Sequence, residues 1–133
     1  MRLILGLVLL VFLAMGICTA QVPNLVGNWT GFENEYAATD GSYKLLENMS
    51  VSYAISEQYG RLFKGNVTYI VNGTWVTEAF AGAIGPDNKT LYKAEIFKGY
   101  GIGTVISDNE FEMISLEDGK SGHSIIAKVH RIK

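Results

Sequence analysis

The chain of 133 residues has one cysteine, two prolines and a net charge of only -2, from 11 basic and 13 acidic residues. Each scarcity excludes something. A single thiol makes no intramolecular disulfide and no thiolate metal cluster. Near-balanced charge offers no basic surface to a phosphate backbone, so no nucleic-acid partner is expected. The length suits one domain rather than two. Beyond residue 20, no segment repeats its apolar residues at helical spacing over ten residues. The H-x-H, HExxH and G-x-S-x-G patterns are absent too, and neither a metal nor a cofactor is expected.

What is present begins with an address. Met1-Arg2 is a basic tip, Leu3 to Ala20 carries no charge, and Cys18-Thr19-Ala20 closes the stretch with small residues. That order reads as a secretory signal over 1–20, followed by a folded domain over 21–133. Two alternatives stay open. The stretch is nearly long enough to be retained as a membrane anchor. It could also be a lipoprotein signal acylated at Cys18, although Ile17 stands where a small residue is wanted. In every case the membrane is met only through the N-terminal segment, and the protein is secreted or sits on the outer face of the cell membrane. Setting the leader aside lowers the hydrophobic share from 48% to about 42%, an ordinary value for a water-soluble domain. Five N-x-[ST] triplets, at Asn28, Asn48, Asn66, Asn72 and Asn88, suit an N-glycosylated outer surface.

The remainder alternates short runs rich in Val, Ile, Thr, Tyr, Phe and Trp with clusters of Gly, Asn and Asp. Asn72-Gly73 is the dipeptide of a two-residue hairpin turn. Turns are also expected at 58–60, 85–89, 98–99, 108–109 and 118–120. These divide the chain into eight strands, roughly 25–33, 46–57, 61–71, 74–84, 90–97, 100–107, 110–117 and 121–132, with one longer connection from Asn34 to Lys44. Short reversals make sequence neighbours into spatial neighbours. The expected fold is therefore all-β: an eight-stranded antiparallel up-and-down β-barrel, wide enough for side chains or one small ligand.

Register then assigns faces. The Asn72-Gly73 turn pairs Tyr69 with Val76, Val67 with Glu78, Gly65 with Phe80 and Phe63 with Gly82, an inner face that is apolar except for Glu78. A three-residue loop at 58–60 adds Ile55, Val51 and Met49 to it. The Asp108-Asn109 turn pairs Ile106 with Phe111 and Thr104 with Met113, and a loop at 118–120 brings in His123, Ile125, Ala127, Val129 and Arg131. Asn28, Asn48 and Asn66 then point outward, and Asn72 and Asn88 lie in turns. Carrying the pairing forward sets Phe80 opposite Glu95 and Gly82 opposite Lys93, and places Ile102 opposite Glu95. Glu78, Glu95 and Lys93 would form one internal polar cluster, with Tyr53, Tyr69, Phe80 and Thr104 around it as cavity candidates. A buried carboxylate must be paired, protonated or in contact with water. A bulge in strand 90–97 would reverse this, turning Tyr92, Ala94 and Ile96 inward and leaving Lys93 and Glu95 in solvent. His123 and His130 fall on opposite faces of one strand, with His123 at the rim. Glu57 and Arg61 flank a turn as a solvated pair, Gly101 and Gly103 give space in the wall, and Trp75 faces outward.

Gly27-Asn28-Trp29 at the start of the first strand and Arg131 near the end of the last resemble the G-x-W signature of the calycin barrels, the lipocalins, fatty-acid-binding proteins and avidins. The resemblance implies that Trp29 and Arg131 form a structural pair closing one barrel end, a guanidinium stacked on an aromatic face. Leu25 to Gly31, Ile55 to Gly65, Gly99 to Ser107, Asn109 to Glu112 and Leu116 to Gly119 are similar to segments of an uncharacterised family of secreted proteins and lipoproteins of methanogenic archaea. That likeness implies an archaeal cell envelope, where N-glycosylation occurs. The expected function is non-catalytic binding of an unidentified small molecule. Two alternatives stand beside it: a structural or protein-interaction module of the envelope with a filled core, partnered by an envelope protein, and an extracellular hydrolase using Glu78 and Glu95. Barrels of this size occur alone and as oligomers, so the oligomeric state stays open.

Overall fold

A computed structural model describes residues 21–38, 42–97, 99–119 and 122–133, with 43–49 described in backbone only. The segment read as a leader, with Cys18, and the side chain of Asn48 lie outside the described residues.

Eight strands follow one another: β1 (Gly27–Ala37), β2 (Tyr43–Tyr59), β3 (Leu62–Val71), β4 (Thr74–Ile84), β5 (Thr90–Glu95), β6 (Tyr100–Ser107), β7 (Glu110–Glu117) and β8 (His123–Arg131). Each pairs antiparallel with the next, and β8 returns to β1, closing the barrel. The chain is thus an eight-stranded up-and-down β-barrel, in which closure leaves no edge strand. At the β3–β4 turn, Asn72 and Gly73 both have positive φ (50° and 79°), as a two-residue primed hairpin demands. Its pairings run Tyr69 to Val76, Val67 to Glu78, Gly65 to Phe80 and Phe63 to Gly82.

Several local expectations are corrected. β1 runs on to Ala37 and β2 begins at Tyr43, so the long connection shrinks to 38–42. The β2–β3 turn is Gly60-Arg61 with Tyr59 opposite Leu62, and the register shifts between Ile55 and Glu57. The extra residue, Ser56, restores the parity that the shorter turn would have broken, so Ile55, Tyr53 and Val51 still face inward. Glu57 consequently meets Lys64 (2.9 Å) rather than Arg61. In β6–β7 the register shifts between Val105 and Ser107. Phe111 therefore faces Val105, and Met113 faces Gly103. That single extra residue turns Gly101 and Gly103 inward and puts Ile102, Thr104 and Ile106 on the outer surface. Ile102 pairs with Tyr92, not with Glu95. β5 contains no such shift: Phe80 meets Glu95 and Gly82 meets Lys93, while Tyr92, Ala94 and Ile96 face solvent.

The interior divides into a filled half and a hollow half. In the filled half an aromatic series runs from Trp29 to Phe111 (4.8 Å between ring centroids), Phe111 to Tyr53 (5.5 Å), Tyr53 to Phe80 (5.9 Å) and Phe80 to Phe63 (6.1 Å). Tilted and edge-on rings at such spacings are favoured by the ring quadrupole. Leu25, Ile84, Leu91 and Met113 fill the gaps between them. The segment before β1 folds across this end of the barrel. Gln58 holds it by accepting from the Leu25 amide (2.7 Å) and donating to the Pro23 carbonyl (2.8 Å). The Arg131 guanidinium lies 4.1 Å over the Trp29 ring and donates to the carbonyls of Val26 and Asn24, each at 2.6 Å. Gly27 has φ 139°, and a Cβ there would lie 2.7 Å from Arg131 Nη1. A side chain there would have to displace that guanidinium and adopt a φ that L residues rarely take, which gives the glycine of Gly27-Asn28-Trp29 a structural reason.

Candidate functional site

The hollow half holds a cavity of about 770 Å³ that opens at the end bearing the β3–β4 turn. This size lies within the usual range of about 300–1,000 Å³ for small-molecule sites. Its depth is set by Tyr53, which packs into the aromatic series below and lines the cavity above.

β5 supplies the central charge. Lys93 points inward and is 4% exposed. An ammonium so buried needs partners, and it has three: an ion pair with Glu95, the Ser115 hydroxyl at 3.2 Å, and the face of Tyr53 with its centroid 5.2 Å away. Gly101 on the neighbouring strand makes this possible. A Cβ there would lie 3.1 Å from Lys93 Cε and 3.0 Å from Met113 Sδ. The Tyr53 hydroxyl bonds to Ser115, and burial, reinforced by the nearby Glu33 and Glu95 charges, pushes its pKa well above the ordinary tyrosine range.

Two further carboxylates line the wall. Glu78, from β4, is 9% exposed and hydrogen-bonded to the Tyr69 hydroxyl, while its Oε2 has no partner. Burial first, then that bond and the Glu78 charge, raise the Tyr69 pKa. Glu33, from β1, is 7% exposed, and burial pushes its carboxyl up to about 7 against the opposing pull of Lys93. Toward the mouth, Glu117 and His123 lie directly across β7 and β8 and approach to 3.3 Å.

Of the residues proposed from sequence, the cavity gathers Tyr53, Tyr69, Glu78 and Glu95, together with Lys93. Phe80 is not part of its lining; it sits in the aromatic core, packed against Tyr53 and Phe63. Thr104 is outside altogether, on the solvent face of β6, because the extra residue at Ile106 reverses that strand. Trp29 and Arg131 stack at the closed end. Asn28, Asn66 and Asn72 are exposed, and Asn72 and Asn88 occupy turns with positive φ. His123 lines the cavity while His130 faces solvent. Sequence reasoning missed Glu33 and Ser115. Both lie two residues beyond inner positions already assigned in part: Trp29-x-Gly31-x-Glu33, and Phe111-x-Met113-x-Ser115. The alternation was there to be followed one step further.

No protein-family model matches the chain, and no curated protein sequence matches it. Solved structures do. A redesigned β-barrel superposes with a TM-score of 0.60 at 13% identity, over 82% of this chain and 92% of that one. EF1p2_mFAP2b bound to DFHBI gives 0.61 at 11% identity, over 81% and 94%. Bovine odorant-binding protein in complex with undecanal gives 0.50 at 10% identity, over 83% and 74%. At such low identity the likeness is one of fold, and the fold is the closed barrel. Two of these three structures hold a small molecule.

Proposed function

We propose that this protein binds a small molecule in the open half of its barrel and performs no chemistry on it. The carrying observation is a cavity of about 770 Å³ whose depth is fixed by Tyr53 and whose wall joins apolar side chains to a few held polar groups. A rigid closed sheet presents that arrangement already formed, so little ordering is required on binding. The barrels that hold DFHBI and undecanal support the reading by likeness of fold. A core filled to both ends, as an envelope module without a pocket would have, is not what the interior contains. For the hydrolase reading, Glu95 is engaged by Lys93 and Glu78 by Tyr69, and neither contact singles out a reacting atom.

The uncharged stretch from Leu3 to Ala20 and the outward Asn28 and Asn66 support a secreted or envelope-attached, N-glycosylated protein as part of the same proposal. Native mass spectrometry of the protein recovered from its own host tests both halves. The expected spectrum shows a mature chain starting near Gln21, glycan mass, and a released small molecule on activation. A chain that excludes the neutral dye N-phenyl-1-naphthylamine and carries nothing would refute the binding reading.

A further inference from the structure

The chemistry of the ligand can be narrowed by the charge of the cavity wall. Among the described residues, five glutamates line it, Glu33, Glu35, Glu78, Glu95 and Glu117, beside two basic side chains, Lys93 and His123. Both basic groups are engaged, Lys93 by Glu95 and Ser115, and His123 by Glu117. Among the described lining residues, none offers a free cation to an anionic ligand. Glu78 is the opposite case. It is nine-tenths buried, forms no salt bridge among the described residues, and has one oxygen, Oε2, without any donor. A carboxylate oxygen withdrawn from water without a donor is a standing cost that an incoming N–H group relieves. The Tyr69 ring beside it and Phe97 at the mouth suit a cation's aromatic contacts, and Val67 and Ile125 suit an apolar body.

We infer that the cavity takes a protonated amine with an apolar body, its ammonium seated on Glu78 Oε2. This rests on the ligand-binding reading above and adds the ligand's class. In a wall of low dielectric, a positive charge facing the unpaired Glu78 carboxylate gains far more than in water. A neutral alcohol reaches the same oxygen with a weaker bond, in which only the acceptor is charged. A carboxylate meets repulsion.

Three probes of equal chain length isolate the headgroup: n-octylamine, 1-octanol and octanoate, titrated calorimetrically into the intact protein, with N-phenyl-1-naphthylamine displacement as a second readout. The expected order is octylamine tighter than octanol by about 10- to 100-fold, with octanoate weakest. Glu78→Gln keeps the shape and removes the charge. On this variant octylamine should bind no more tightly than octanol. Octanol binding as tightly as octylamine overturns the amine assignment and leaves the binding barrel standing. So does a Glu78→Gln protein that keeps the preference. Failure of the dye and all three probes to bind the unaltered protein overturns both readings. Should Glu78→Gln lose its β-sheet circular dichroism, the order of the three probes on the unaltered protein still decides the class.

Discussion

Raising the pH from 4 to 9 should weaken this fold through Glu33 alone by about 3 kcal/mol. The carboxyl is 7% exposed in the cavity wall, and burial lifts it from 4.5 in the free chain to about 7, with Lys93 opposing and Glu35 and Glu95 reinforcing the shift. The sign follows from proton counting. Below pH 4.5 both folded and unfolded chains hold the proton, and the group costs nothing. Between 4.5 and 7 the folded chain holds a proton that the unfolded chain has released, so stability falls as pH rises. Above 7 the loss is complete. A displacement of roughly 2.5 pH units, at 1.36 kcal/mol per unit, gives about 3 kcal/mol. Asp87 lies outside this window: its carboxylate accepts from the Thr90 hydroxyl and from the amides of Thr90 and Lys89, which hold it down to about 2, so its contribution is lost only in stronger acid. Urea unfolding followed by circular dichroism, at intervals of half a pH unit, measures the slope for the natural protein and for Glu33→Gln. The variant should match the natural protein at pH 4 and exceed it by about 3 kcal/mol at pH 9. Parallel curves for the two proteins across the whole range would refute the reasoning, because every other titrating group is common to both.

Trp29→Ala should cost about 3–5 kcal/mol, as for a large buried aromatic, and an unchanged urea midpoint would contradict its place at the closed end. Arg131→Lys keeps the charge but loses the fork that reaches the carbonyls of Val26 and Asn24, and a loss of roughly 1–3 kcal/mol is expected in the same assay. Lys93→Met strands the Glu95 carboxylate and should destabilise by about 3 kcal/mol, most of it recovered when Glu95→Gln is added; a double variant as weak as the single would show that packing, not charge, was lost. Thr104→Lys, on the outer face of β6 opposite Glu112, should change stability by no more than about 0.5 kcal/mol and leave dye binding intact, and a large loss would mean that Thr104 faces the interior after all.

The strand pattern was legible because its signals are local. Asn72-Gly73 specifies its turn through the φ values those two residues tolerate, and the β3–β4 register then follows from counting. The inner identity of Val67, Glu78 and Phe80 follows from the same parity, and β5, paired by extension, brought Lys93 and Glu95 inside as one of two open possibilities. What failed was parity across an inserted residue. Ser56 and Ile106 carry no local mark that sets them apart from their neighbours, yet each shifts a register, and the second placed Thr104 and Ile102 on the wrong face.

By itself, the sequence determined eight strands, their order, the antiparallel meander and most of the inward set, since these depend on two-residue alternation and turn chemistry within a few residues. Only the tertiary structure decided where the strands bulge, how far the aromatic series fills the barrel, and that Glu33, Ser115 and Lys93, from three different strands, face one cavity. Those outcomes depend on closing the sheet on itself. The tilt of each strand is then set by all eight together, and no single segment carries that information.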